Sequence, residues 1–135
     1  MAIIYKVNQF VTTEAFTSLL KASGLAERRP VEDAICMQGM VENSNLIISA
    51  WLIEEEQEKL VGIARSMTDF HYACYLSDLA VDKAYQKQGL GKNLIAETQA
   101  QLRATCKLIL IAAPDANGYY PKLGFQSNDR CWVLN

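Results

Sequence analysis

The sequence predicts a mixed α/β fold: a central mixed sheet, built from an antiparallel meander plus a parallel strand pair joined by a crossover helix, flanked by further helices. Three observations lead there. Three strand-like runs, "NLIISAWLIEE", "KLVGIARSM" and "HYACYLSDLAV", follow one another between about residues 45 and 82 with only short turns between them. After Val81 the apolar period changes from two to that of a helix, with Leu90, Leu94, Ile95, Thr98 and Leu102 on one stripe. "KLILIAAP" then forms a short, continuously apolar run of the kind that is buried on both faces of a sheet. Strand, helix and strand in that order make a right-handed crossover with the two strands parallel.

The remaining elements follow in order. "IIYKVN" alternates as a first strand. "TTEAFTSLLKASG" reads as a helix that Thr12 caps and Gly24 closes, with Glu14 at its positive end and Phe16, Leu19 and Leu20 on one face. Pro30 is suited to open a second helix with Val31, Ala34 and Ile35 inward, although Gly39 weakens its far end. The crossover helix is expected from Gly89 to Ala104. Asp115 can cap a short helix that Gly124 ends, and "FQSN" with "CWVL" suggests a closing hairpin. No linker or repeat divides the chain, so residues 1–135 are expected to fold as a single domain; at this length roughly two thirds of the unfolded surface can be buried.

Composition excludes several classes of function. The formal net charge is −2, without the basic face that nucleic-acid binding needs. "LIISAWLI", the longest apolar stretch, is far short of the ~18 residues of a membrane span. "MAIIYKVNQF" has no basic segment followed by a long apolar run, so no leader is expected and the cytoplasm is the default location. Cys36, Cys74, Cys106 and Cys131 are scattered, and His71 is the one histidine, so no metal site is expected. The cysteines read as small apolar residues.

The stretch "DKAYQKQGLGKNLI", residues 82–95, carries the clearest chemistry. A helix N-terminus presents unpaired N–H groups and about half a positive charge. Glycines at 89 and 91 remove side chains that would hold an anion off those groups, and Lys83, Lys87 and Lys92 add charge around them. A phosphate or diphosphate is the natural guest; otherwise the glycines only make a tight strand-to-helix turn. Leu94 replaces the third glycine of a dinucleotide fingerprint, and Gln86 and Asn93 break a P-loop pattern.

With those residues in view, "LSDLAVDKAYQKQGLGKNLI" resembles the acetyl-CoA-binding motif of the GNAT superfamily of N-acetyltransferases, a resemblance to a small single-domain member. Gln86, Lys87, Gln88, Gly89, Leu90 and Gly91 match the family's Arg/Gln-x-x-Gly-x-Gly/Ala signature without a gap. "YYPKLGF", residues 119–125, is similar to its second signature, and "LVGIA" to its third strand. The resemblance covers roughly residues 45–127. It implies acetyl-CoA as cosubstrate and a parallel strand pair that splays at a bulge in the strand ending Leu79-Ala80-Val81. It further implies a pantetheine arm bonded to the backbone of Leu79 and Val81, with the Leu79 N–H as oxyanion donor. The diphosphate would rest on the N–H groups from Lys87 through Lys92. Ala116 matches the family's alanine in the following loop, but Ala113 stands where relatives carry Asn, and Asn117 is out of register. Tyr120 matches the family's general acid for the departing thiolate, while Tyr119 reads as a packing aromatic.

The general base has no clear counterpart. An alkylamine of pKa ~10 is neutral about once per thousand molecules at pH 7, a cost of roughly 4 kcal/mol. Relatives place Glu or His on the fourth strand where Tyr75 and Ser77 stand, leaving those two as candidates only for a water relay. Strict alternation turns Asp78 to the opposite face, and His71 reads as a hairpin residue. Acceptor choice would lie in "SGLAERRPVED", whose Arg28, Arg29, Glu27, Glu32 and Asp33 mix signs and read as solvated loop charges; "EEEQEK" reads as a solvated hairpin turn. The acceptor is expected to be a small-molecule or peptide amine, with no nucleic-acid or membrane partner. A homodimer is expected because the closing hairpin and the Trp51 strand would offer sheet edges. Two functions fit: an N-acetyltransferase working by direct attack, or a non-catalytic acyl-CoA-binding or interaction module on the same fold.

Overall fold

A computed structural model of the protein describes residues 2–135. Five strands form one sheet in the order β1 (Ala2–Val7), β2 (Leu46–Glu54), β3 (Gln57–Thr68), β4 (Ala73–Val81) and β5 (Lys107–Ile109). The first four pair antiparallel, and β4 pairs parallel with β5 through Ala73–Lys107, Cys74–Leu108 and Tyr75–Ile109. The mixed sheet, the meander and the crossover are as the sequence predicts. Because β2 lies between β1 and β3, the Trp51 strand offers no edge, which corrects that expectation. Trp51 packs beside Ile47 and donates from Nε1 to Ser49 Oγ at 2.8 Å.

Alternation along the strands builds two apolar layers. Leu46, Ile48, Ala50 and Leu52 meet Leu90, Leu94 and Ile95 of α3 (Leu90–Ala100) on one face. Ile47 and Ile63 meet Phe16, Leu19 and Leu20 of α1 (Thr13–Ser23) and Met37 of α2 (Ala34–Glu42) on the other. Gly62 lets α3 approach closely: a Cβ there would lie 3.1 Å from Leu94 Cδ1. Among the described residues, no helix is long and apolar enough to cross a membrane.

Local signals place α1 as expected. Thr12 Oγ1 accepts from the Ala15 N–H at 3.0 Å, and Gly24 closes the helix at φ 88°. The second helix differs. It begins at Ala34 because the Asp33 carboxylate caps the Cys36 N–H at 3.0 Å, while Pro30 holds Arg29 extended at φ −136°, ψ 152°. Ile35, expected inward, is therefore 86% exposed.

α3 ends four residues before Ala104, at Ala100, since the Arg103 N–H turns away to the Phe70 carbonyl in the β3–β4 turn. β5 is shorter and more exposed than a strand buried on both faces, with Ile109 and Ile111 half in solvent. Instead of one helix from Asp115, two 3-10 turns, Pro114–Ala116 and Tyr120–Leu123, lead to Gly124 at φ 95°. The expected hairpin over Phe125–Asn128 and Cys131–Leu134 does not form. A three-residue β5 gives it little ladder to join, and Trp132 and Leu134 stand 90% and 99% exposed.

A bulge in β4 breaks its alternation. Arg65 pairs with Asp78 and Ser66 with Leu76, so Ser77 is the extra residue. Leu76 packs in the α3 layer, whereas Asp78 and Ala80 turn to the α1 side. The Asp78 side chain is fully buried and accepts from Nε of both Arg29 and Arg65. Arg65 also donates to Ser77 Oγ at 2.8 Å and Ser44 Oγ at 2.9 Å. Arg29 is thus an ion-pair partner and not a solvated loop charge, and Ser77 and Asp78 reach the same guanidinium, which strict alternation would forbid. Removing one partner of a buried pair costs about 3–5 kcal/mol. Asp78→Ala is accordingly expected to lower the unfolding free energy by about that amount in urea titration. A loss under about 1 kcal/mol would show the pair to be solvated.

Candidate active site

Parallel pairing stops at Tyr75 and Ile109, while β4 continues to Val81. Beyond that point the two strands diverge and leave a cleft of about 980 Å³. One wall is Leu79, Ala80 and Val81; the opposite wall is the run from Ala113 through Ala116 with Tyr119 and Tyr120. The loop before α3 forms one end, and Gly24–Arg28 overhangs the cleft. A smaller chamber of about 50 Å³ shares Leu25, Leu79, Ala113, Ala116 and Tyr120 with the cleft, and adds Arg29, Leu76, Ser77, Leu110 and Ile111 at the narrow end of the V.

The loop is built by local hydrogen bonds. Asp82 Oδ1 accepts from the Ala84 N–H at 2.9 Å, starting the 3-10 turn Lys83–Tyr85. Gln86 Nε2 then reaches back to the Val81 carbonyl at 2.9 Å, clipping the loop to the end of β4. This engages a carbonyl that the resemblance offers to a pantetheine. Lys87 and Gly89 both take positive φ, 64° and 84°, which turns the chain tightly into the start of α3, where the first N–H groups of the helix have no intrahelical partner.

The two glycines do different work. Gly89 needs its left-handed conformation, and a Cβ there would meet nothing within 4 Å, so the space above it is open. A Cβ on Gly91 would lie 2.5 Å from Tyr119 Oη. Tyr119, read from the sequence as packing, therefore places its hydroxyl over the first turn of α3. This contact joins residues 28 apart in the chain and has no local sequence signal.

The cleft is electropositive: Arg28, Lys83, Lys87, Lys92 and Lys122 outnumber Glu27 and Asp115 along its walls. With the space above Gly89 open and no side chain capping the start of α3, these residues fit a bound diphosphate. Tyr120 stands where cleft and chamber meet, its ring edge-on to Tyr119 and to Phe125 at 5.3 and 5.4 Å. Burial, reinforced by Tyr119, raises its phenol pKa, with Arg29 pulling weakly the other way.

Of the residues singled out in the sequence, Leu79, Ala80, Val81, Gln86, Lys87, Gly89, Leu90, Gly91, Lys92, Ala116 and Tyr120 all line the cleft. Gln88 is exposed outside its lining. Tyr75 lines neither space, because the strands are still paired at its level. Ser77 lines the chamber, with its hydroxyl engaged by Arg65. His71 lies exposed in the β3–β4 turn, its Nδ1 2.9 Å from the Asp69 carbonyl. Arg29 was missed as a chamber residue, although an aspartate inside an apolar strand signals that a cation must reach it.

The family model for the acetyltransferase (GNAT) domain matches residues 48–127. The uncharacterized N-acetyltransferase ycf52 of Pyropia yezoensis is 36% identical over 87 residues, covering 63% of this chain and 50% of that protein. The chain thus spans about half the length of that relative. Among solved structures, the GNAT-family acetyltransferase SP0256 of Streptococcus pneumoniae superposes with TM-score 0.74 at 21% identity, covering 98% of each chain. An aminoglycoside N-acetyltransferase in complex with CoA superposes at 0.69 with 15% identity, covering 99% of this chain and 94% of that one. Divergence of β4 from β5, a glycine-opened helix N-terminus between them, and a family match across both place the chain in the GNAT acetyltransferase family.

Proposed function

We propose that the protein is an acetyl-CoA-dependent N-acetyltransferase that passes the acetyl group directly to a primary amine. One observation carries this reading. An electropositive cleft leads without interruption from the open concavity at Gly89 to the phenol of Tyr120. A diphosphate fits the first end, and acid catalysis the second.

In this reading the N–H groups from Lys87 to Lys92 hold the diphosphate, and Lys83, Lys87 and Lys92 neutralise it. Backbone groups of Leu79 and Val81, with Ala80 and Ala116 as apolar walls, align the arm. The Leu79 N–H stabilises negative charge developing on the acetyl oxygen. The acceptor ammonium first gives a proton to water, since no carboxylate or imidazole lines the chamber. Its nitrogen then forms the C–N bond as the C–S bond breaks, the electron pair going to sulfur, and the nitrogen gives its second proton to water to leave the neutral amide. Tyr120 protonates that sulfur and recovers its proton from solvent. Burial keeps Tyr120 protonated throughout the neutral range, which suits an acid.

Calorimetric titration with acetyl-CoA, using ATP and NADH as controls, tests the reading. Selective one-to-one binding at about 1–100 μM, or roughly −8 to −5.5 kcal/mol, supports it. No binding at millimolar acetyl-CoA overturns it.

Gly89→Val forces a branched residue to φ 84° and fills the concavity. Affinity for acetyl-CoA is expected to fall at least roughly tenfold, with the fold verified by circular dichroism. An unchanged affinity in a folded variant would remove the diphosphate from this loop. Tyr120→Phe is expected to lower kcat roughly tenfold or more while acetyl-CoA affinity holds; unchanged turnover would remove Tyr120 from the mechanism. Because the Tyr120 pKa is raised above its ordinary 10, the acid form is lost only as pH climbs past that raised value. The rate should therefore rise with pH as the amine deprotonates, with no fall from Tyr120 below about pH 10. A descending limb near pH 8 that Tyr120→Phe abolishes would contradict this assignment.

A further inference from the structure

The narrow chamber has one charged side chain in its lining, and it is cationic. Arg29 comes from the loop after α1, and its side chain is 21% exposed. Nε donates to Asp78, Nη1 to the Arg28 carbonyl at 2.8 Å, and Nη2 to the Ser77 carbonyl at 2.7 Å. Arginine has five N–H donors, so one on each terminal nitrogen has no partner among the described residues. Asp78 does not cancel the charge, because it is shared with Arg65 and two guanidiniums face one carboxylate. The remaining lining is apolar apart from Ser77 and Tyr120.

We propose that Arg29 determines the acceptor class: the amine acetylated here also carries a carboxylate, which docks against the Arg29 guanidinium at the narrow end of the V. This rests on the acetyl-transfer reading above. A guanidinium held rigid by a buried carboxylate is a preorganised partner for a second carboxylate. A polycationic acceptor finds no carboxylate in the chamber and is repelled.

Thiol release from acetyl-CoA should be followed with free α-amino acids, their α-amides and spermidine as acceptors. The expected kcat/KM for carboxylate-bearing amines is at least tenfold above that of the matched amides, with spermidine poorest. In Arg29→Gln this carboxylate-to-amide ratio should collapse about tenfold through the acceptor KM, and Arg29→Lys should restore part of it. Equal or better turnover of amides or spermidine by the unaltered protein overturns the inference. So does a ratio unchanged in Arg29→Gln, or no transfer to any carboxylate-bearing amine while acetyl-CoA binds. Failure to bind acetyl-CoA is a separate result, which sinks the acetyl-transfer reading and this inference with it.

Discussion

A carboxylate with no solvent contact must be paired, and the arrangement of this site follows from how Asp78 is paired. Its two oxygens draw one arginine from β3 and one from the loop after α1. Arg65 then reaches Ser44 and the Met40 carbonyl, so the end of α2 is tied to the same group. Four parts of the chain with no local reason to meet are fixed by one buried charge. Such a triad contributes little net stability compared with apolar packing of equal volume. Its value lies in specificity of placement, since moving the α1–α2 loop would leave one oxygen of the buried Asp78 carboxylate without its partner.

The bulge at Ser77 makes that pairing possible and also sets up the cleft. An extra residue in β4 reverses which face the following side chains take, sending Asp78 toward α1 and Leu79 to the α3 side. Beyond it, β4 has a partner on the β3 side only, because β5 has already left. Backbone polar groups left unpaired on a cleft wall are costly unless a ligand or water satisfies them. A ligand arm that itself contains amides meets that need. The far wall of the cleft is carried by the two 3-10 turns, where Tyr120 packs edge-on against Phe125.

The sequence made the periodic elements legible and the irregular ones much less so. The meander, α1 with its Thr12 and Gly24 caps, and the start of α3 follow from period and capping residues. The end of α3 does not, since no Gly or Pro marks it and a distant carbonyl captures Arg103. "FQSN" and "CWVL" have strand composition but no long edge to join, so the hairpin they suggest does not form. At the site, the glycine loop and Tyr120 are local motifs and were visible. Asp78, Ser77 and Arg29 depend on a bulge, and a bulge changes parity without leaving a residue pattern of its own.

Charge is distributed along the V in a way that composition conceals. A net charge of −2 for the chain coexists with a cleft whose charged residues are mostly lysine and arginine. The lysines near Gly89 are exposed and flexible, suited to a mobile, strongly hydrated diphosphate. Arg29 at the opposite end is rigid, partly buried and held by a carboxylate, suited to one geometry. The flexible cations therefore suit a ligand end shared by every turnover, and the rigid one suits an end where choice must be made. Selectivity gains more from the second kind, because a fixed donor in a small apolar chamber leaves a wrong partner unpaired, whereas solvated lysines adapt to any anion.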